Sequence, residues 1–182
     1  MPQTLLAFVA MMLMTTYSVS VQRQHVFMQQ RDIAREIEEM AGSVALEAME
    51  IIRTRAFDQA VLDSTVTRTL SDVDLFSFNT AQEHFTTGRA CSVFGLGGDV
   101  CDDIDDFHRM QTATVPFPMG TDTLYFTLDV EVMYVDENFE RHDAPTFHKA
   151  VTVSVQDTWP GIDRTPFLNE PVRLSRVFAY EF

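Results

Sequence analysis

Among the 182 residues of this chain, five histidines, two cysteines and one knot of aspartates have chemistry to offer. His25, His84, His108, His142 and His148 are scattered, with no HExxH pattern and no pair four residues apart that would present two imidazoles on one helical face. GxSxG, P-loop and dinucleotide fingerprints are absent. The run GLGGD at 95–99 is rich in glycine but opens no helix, so it lacks the aligned N–H groups that cradle a phosphate. Cys91 and Cys101 have nine residues between them, with neither CxxC spacing nor paired histidines, which argues against zinc. In an oxidising compartment they would close a small loop around Gly95, Gly97 and Gly98. Such a bridge would restrain the unfolded chain by about 2–3 kcal/mol. The aspartates Asp99, Asp102, Asp103, Asp105 and Asp106 are the one ion-site candidate, because hard cations such as calcium take several carboxylate oxygens. An EF-hand loop does not fit: Phe107 stands where the third ligand belongs and His108 where the glycine belongs. Asp102, Asp103, Asp105 and Asp106 are therefore a weak calcium candidate, and a solvated acidic loop, or one whose Asp102 and Asp103 cap a short turn, is the preferred reading. No catalytic residue and no cofactor is expected, and the chain is not read as an enzyme.

Charge separates the sequence into three parts. The net charge is −14, which disfavours nucleic acid as the main partner because phosphate binding needs the opposite sign. Residues 1–22 carry no charged side chain, and most of the negative charge lies after residue 58. The uncharged start, MPQTLLAFVAMMLMTTYSVSVQ, has roughly the 20 residues that cross a hydrocarbon core as a helix. No basic residue precedes its apolar run and no clear cleavage site follows, so it does not read as a secretory signal. Within it TTYSVSV, residues 15–21, is made of poor helix formers. Two conformations are open there: a segment unwound in the working state, at Thr15, Thr16, Ser18 and Ser20, or an unbroken helix whose hydroxyls bond back to the preceding turn.

From Arg23 a long amphipathic helix is expected to residue 58. Val26, Ile33, Ile37, Met40, Val44, Ala48 and Ile51 line one face, with Phe57 a possible further member. Arg35 with Glu39 and Glu50 with Arg53 are spaced to pair on the other face. Helix over residues 2–57 would be about 85 Å long, more than a globule of this size covers, so half of it is expected to project. Residues 59–112 read as a connector with little regular structure. The remainder, 113–182, reads as antiparallel sheet. TDTLYFTLDVEVMYV alternates, with Phe126, Leu128, Val130, Val132 and Tyr134 on one face. Phe147, Val151, Val153 and Val155 form a second such row, and Val172, Leu174, Phe178, Tyr180 and Phe182 a third. Thr112–Phe117 is expected as a short strand ended by Pro116 and Pro118. The fold class is α+β, with the amphipathic helix covering one face of the sheet.

An apolar helix half, an amphipathic half and a one-faced sheet resemble the layout of type IV pilins and their pseudopilin relatives. In that family a long N-terminal helix projects by its first half and packs by its second on an antiparallel sheet, giving a lollipop. The resemblance implies a structural subunit of an extracellular filament on the cell surface, with a membrane-embedded precursor and a methylated N-terminus. It implies that residues 1–22 bundle with those of identical subunits, using Leu5, Leu6, Phe8, Val9, Met12, Leu13 and Tyr17 in the filament core. Its implied partners are copies of this chain, the inner membrane before assembly, and a pilus assembly machinery. Assembly of this kind is head to tail and yields open filaments. The chain departs from many members: Leu5 stands where they carry an acid, no proline lies near position 22, and a short basic leader does not precede the apolar run. Numbering from a mature end, or a divergent branch, is expected on that account. A membrane-anchored extracytoplasmic binding protein is the alternative from another class, and a pseudopilin of a secretion system the alternative within the family.

Overall fold

The computed structural model describes residues 2–58, 61, 94, 101–110, 113–119, 122–159 and 165–180. The N-terminal helix, α1, spans Pro2–Arg53. The chain divides into two compact units, Met1–Glu38 and Glu39–Phe182.

The described part of the first unit is helix alone. Its helix is unbroken through residues 15–22 in the single chain, while the unwound segment is an expectation for the working state. Thr15 Oγ1 donates to the carbonyls of Met11 and Met12 at 3.0 and 2.9 Å, and Thr16 Oγ1 to those of Met12 and Leu13 at 3.0 and 2.9 Å. These two hydroxyls are thus satisfied within the helix, by back-bonding that a helix tolerates without being favoured by it. Val26 and Ile33, expected on the buried stripe, are exposed. Among the described residues no helix is long and apolar enough to cross a membrane.

In the second unit the end of α1 packs on a four-stranded antiparallel sheet, an α+β architecture. Ala41, Val44, Ala45, Ala48, Met49 and Ile52 are buried, whereas Met40 and Ile51 are only half-buried. The seam therefore runs one position away from the expected stripe at both ends. Val44 and Ala48 are buried as expected, and the residues the expected stripe lacks include Ala41 and Ala45, small side chains that a search for large apolar residues passes over. The helix stops at Arg53, not at 58. The N–H groups of Thr54 and Arg55 reach carbonyls only three residues back, Ile51 and Ile52, at 3.1 and 3.0 Å, and tighten the last turn.

The strands are β1 Ala113–Met119, β2 Asp122–Tyr134, β3 His148–Thr158 and β4 Val172–Ala179, in the order β1-β2-β3-β4. Alternation predicts the covered face of the two central strands. Phe126, Leu128, Val130, Val132 and Tyr134 on β2 are buried, and Val151, Val153 and Val155 on β3 sit opposite Val132, Val130 and Leu128. Val172, Leu174, Phe178 and Tyr180 are half-buried at the β4 margin, and Phe182 lies outside the described residues. Pro116 and Pro118 do not end β1 but lie inside it. The strand tolerates them because β1 is an edge, where a missing N–H need not break a ladder.

The largest correction concerns the end of the expected connector. Residues 101–110 are almost wholly buried and carry a 3-10 turn, Asp105–Phe107. They occupy the flank of β2 beyond its pairing with β1, which ends at Leu128. There the N–H of Arg109 donates to the Val130 carbonyl at 2.8 Å, and the N–H of Val132 donates to His108 Nδ1 at 3.0 Å. Ala56, just past α1, forms a parallel bridge with Asp103. This segment thus ties the helix end to the sheet flank. The rest of the expected connector, with the exception of Val61 and Phe94, lies outside the described residues.

Candidate functional site

The strongest concentration of chemistry is buried where the end of α1, residues 101–110 and β3 meet. Lys149 is wholly buried on β3. Strand parity puts it there: it lies between Phe147 and Val151 on the row that faces the core, opposite Tyr134. Its ammonium donates to the Phe57 carbonyl at 2.7 Å and to Asp58 Oδ2 at 2.9 Å, and lies 2.8 Å from the Asp105 carboxylate. The same nitrogen stands over the rings of Phe57 and Tyr134, 4.5 and 5.0 Å from their centroids. Tyr134 Oη donates to Asp58 Oδ2 at 3.0 Å, so that one oxygen receives two donors.

Two further acids stand beside this group. Asp103 Oδ1 accepts the N–H of Asp106 at 3.0 Å, while Asp106 Oδ2 accepts the N–H groups of Asp102 and Asp103 at 3.1 and 3.5 Å. The exchange is a reciprocal cap over the 3-10 turn. Four buried carboxyls against one ammonium leave too much negative charge in a water-poor site, and proton affinities rise. Asp103 is pushed up to about 6 by burial and then by the charge of Asp106. Burial pushes Asp105 up as well, against the pull of Lys149. The Tyr134 phenol is driven up by burial and then by Asp105. His108 is held below its usual value by burial and then by Arg109, which keeps its Nδ1 free to accept from Val132.

These contacts change the reading of the aspartates. Asp103, Asp105 and Asp106 are buried, so the solvated acidic loop is overturned for those three, while Asp102 is exposed and Asp103 does cap the turn. The calcium candidate at Asp102, Asp103, Asp105 and Asp106 is not supported either. Among the described residues no group of three acids, histidines or cysteines is arranged to hold a metal, and the cation that meets Asp105 is the chain's own Lys149. Asp99 lies outside the described residues. Cys101 is buried and disulfide-bonded. Cys91, the other half of the expected bridge, lies outside the described residues. Lys149, Asp58 and Tyr134 were not reached as a group by sequence reasoning. The available signal was a lysine at an inward position of an otherwise apolar strand.

A second feature is a cleft of about 540 Å3 lined by Arg53, Arg55, Arg176, Phe57, Phe178 and Tyr180. Arg53 and Arg176 share the two oxygens of Glu50, at 3.3 and 3.2 Å. Arg55 Nε is buried with no hydrogen-bond partner among the described residues. Among the described residues, three guanidinium groups and the one carboxylate that pairs with two of them meet at this cleft, with aromatic rings at its wall.

The residues expected to form an assembly core lie on the first unit's helix. Phe8, Val9, Met12, Leu13 and Tyr17 are exposed, as are Met11 and Met14. Leu5 and Leu6 belong to the helix, and their side chains lie outside the described residues. Thr15, Thr16, Ser18 and Ser20 are exposed on the same helix. No protein-family model, no curated protein and no solved structure matches this chain.

Proposed function

We propose that this chain is the structural subunit of an extracellular, type IV pilus-like filament, assembled by bundling of its N-terminal helices. The observation that carries this reading is the apolar surface of α1 before Arg23. Phe8, Met11, Met12, Leu13, Met14 and Tyr17 are each more than half exposed on a helix stretch without a single charge. An apolar helix surface of this extent calls for a cover. Covering six such side chains would release on the order of 10 kcal/mol before association costs, enough to drive helix against helix. Identical helices supply that cover in a homopolymer. The helix on a one-faced sheet agrees with the same reading.

The experiment is electron microscopy of filaments sheared from producing cells, with the subunit identified by mass spectrometry. Helical filaments built mainly of this chain are the expected result. Its absence from every filament, with the protein recovered as a membrane-bound monomer, would refute the reading. Replacing Thr15, Thr16, Ser18 and Ser20 together by leucine sharpens the test. A lone membrane anchor tolerates that change, whereas a bundle packed around those small polar residues loses its filaments.

A membrane-anchored extracytoplasmic binding protein is the second reading, favoured by the arginine-lined cleft, whose volume suits a small ligand. A pseudopilin of a secretion system shares the assembly logic and differs in forming short structures. The length and subunit composition of the sheared fraction separate these.

A further inference from the structure

We propose that Lys149 and Asp58 become joined by an intramolecular amide bond, Nζ to Cγ, stapling the segment that follows α1 to β3. Nζ already stands 2.9 Å from Asp58 Oδ2, one bond away from the carbon it would attack. Neither side chain has appreciable contact with solvent, at 0% and 1% exposure. In water this condensation is unfavourable, because the separated ions are strongly hydrated. Here that hydration has been lost on folding, so an amide plus a released water competes well with a buried ion pair. Fixed placement of the two groups raises their effective concentration far above any value in solution.

The surrounding groups fit the steps. Asp105, at 2.8 Å from Nζ, takes a proton from the ammonium and frees its lone pair. Asp105 passes that proton to Asp58 Oδ1, the amine attacks Cγ of the resulting neutral acid, and the carbonyl electrons move onto Oδ2, where Tyr134 Oη already donates at 3.0 Å. Two protons leave Nζ in all and are carried by Asp105 to Oδ1, which departs as water, and Asp105 ends as it began. The balance is one ammonium plus one carboxylate giving one amide plus one water, with nothing oxidised or reduced. Asp58 is the electrophile because its Oδ2 has the second donor that a developing oxyanion needs. Asp105 is the proton carrier because burial and the neighbouring Asp103 raise its affinity for a proton. The rings of Phe57 and Tyr134 flank Nζ and keep water from reversing the reaction.

The proposal concerns the fold and does not depend on whether the chain polymerises. It is tested on the full-length protein, shown to be folded by circular dichroism, then reduced, denatured and weighed by intact mass spectrometry. The expected mass is one water below that of the reduced sequence, and fragmentation is expected to join the peptides holding residues 58 and 149. Lys149→Arg and Asp58→Ala are expected at full mass. Asp105→Ala, if it folds, is also expected at full mass. Tyr134→Phe keeps the ring and removes one donor. In freshly synthesised chain it should slow the appearance of the lighter species on the order of a hundredfold, and an unchanged rate would overturn the role given to Oη. A folded wild-type chain at full mass overturns the proposal outright, and a link mapped to Asp105 in place of Asp58 overturns the assignment of the electrophile.

Discussion

Asp103→Asn isolates the electrostatics of the buried acids in one atom. Asparagine keeps the oxygen that accepts the Asp106 N–H at 3.0 Å and removes the charge. Asp103 carries a folded pKa of about 6 against an ordinary value of 3.8. A carboxyl whose folded pKa is raised binds its proton more tightly in the folded state. Its stabilising contribution is therefore complete below pH 3.8 and is lost as pH rises through about 6. The shift corresponds to about 3 kcal/mol in all, of which about 2 falls between pH 4.5 and 7.5. His108 titrates in the opposite sense. Its depressed pKa gives stability that is present above 6.5 and lost as pH falls, while Asp105, raised by burial, titrates in the same sense as Asp103, so the pH profile of the wild type alone mixes several slopes. Comparing the variant with the wild type cancels the histidine, which both contain. Urea denaturation of each protein at both pH values is the assay. Relative to the wild type, Asp103→Asn should gain about 2 kcal/mol on going from the lower to the higher pH. A stability difference that does not change with pH, or that moves the other way, would refute the account of a carboxyl held protonated by burial and by Asp106.

Two other substitutions test the packing around this centre. Ala48→Leu places a branched side chain in a seam where Ala41, Ala45 and Ala48 are fully buried, and it should cost about 1–3 kcal/mol in thermal or denaturant unfolding. His108→Leu removes the acceptor of the buried Val132 N–H, and the orphaned donor should cost about 1–3 kcal/mol at pH 8, where the native imidazole is neutral.

Strand alternation made the central sheet readable, because β2 and β3 each bury one face and wet the other. That rule also determined the position of Lys149, yet a lysine in an apolar row is ordinarily read as solvated, and its partners come from segments 44 and 91 residues away. No local pattern announces such a meeting. The helix seam was displaced for a different reason: hydrophobic periodicity weighs large side chains, whereas part of the buried seam is alanine, at Ala41, Ala45 and Ala48. The aspartates misled because charge density in a loop ordinarily means solvent. Here the acids cap one another's backbone, and Lys149 neutralises part of the charge. The Thr and Ser run offered two outcomes that propensity alone could not separate, since a hydroxyl can bond back to the preceding turn without breaking the helix.

The prolines of β1 have a consequence for association. Among the described residues the four-stranded meander leaves two open margins, and the β1 margin lacks N–H donors at Pro116 and Pro118. An incoming strand would find an interrupted template there, so growth by adding strand to strand is blocked on that side. Among the described residues, a copy that pairs strand to strand is left the β4 margin, which contains no proline, and contact on the β1 side falls to side-chain surfaces.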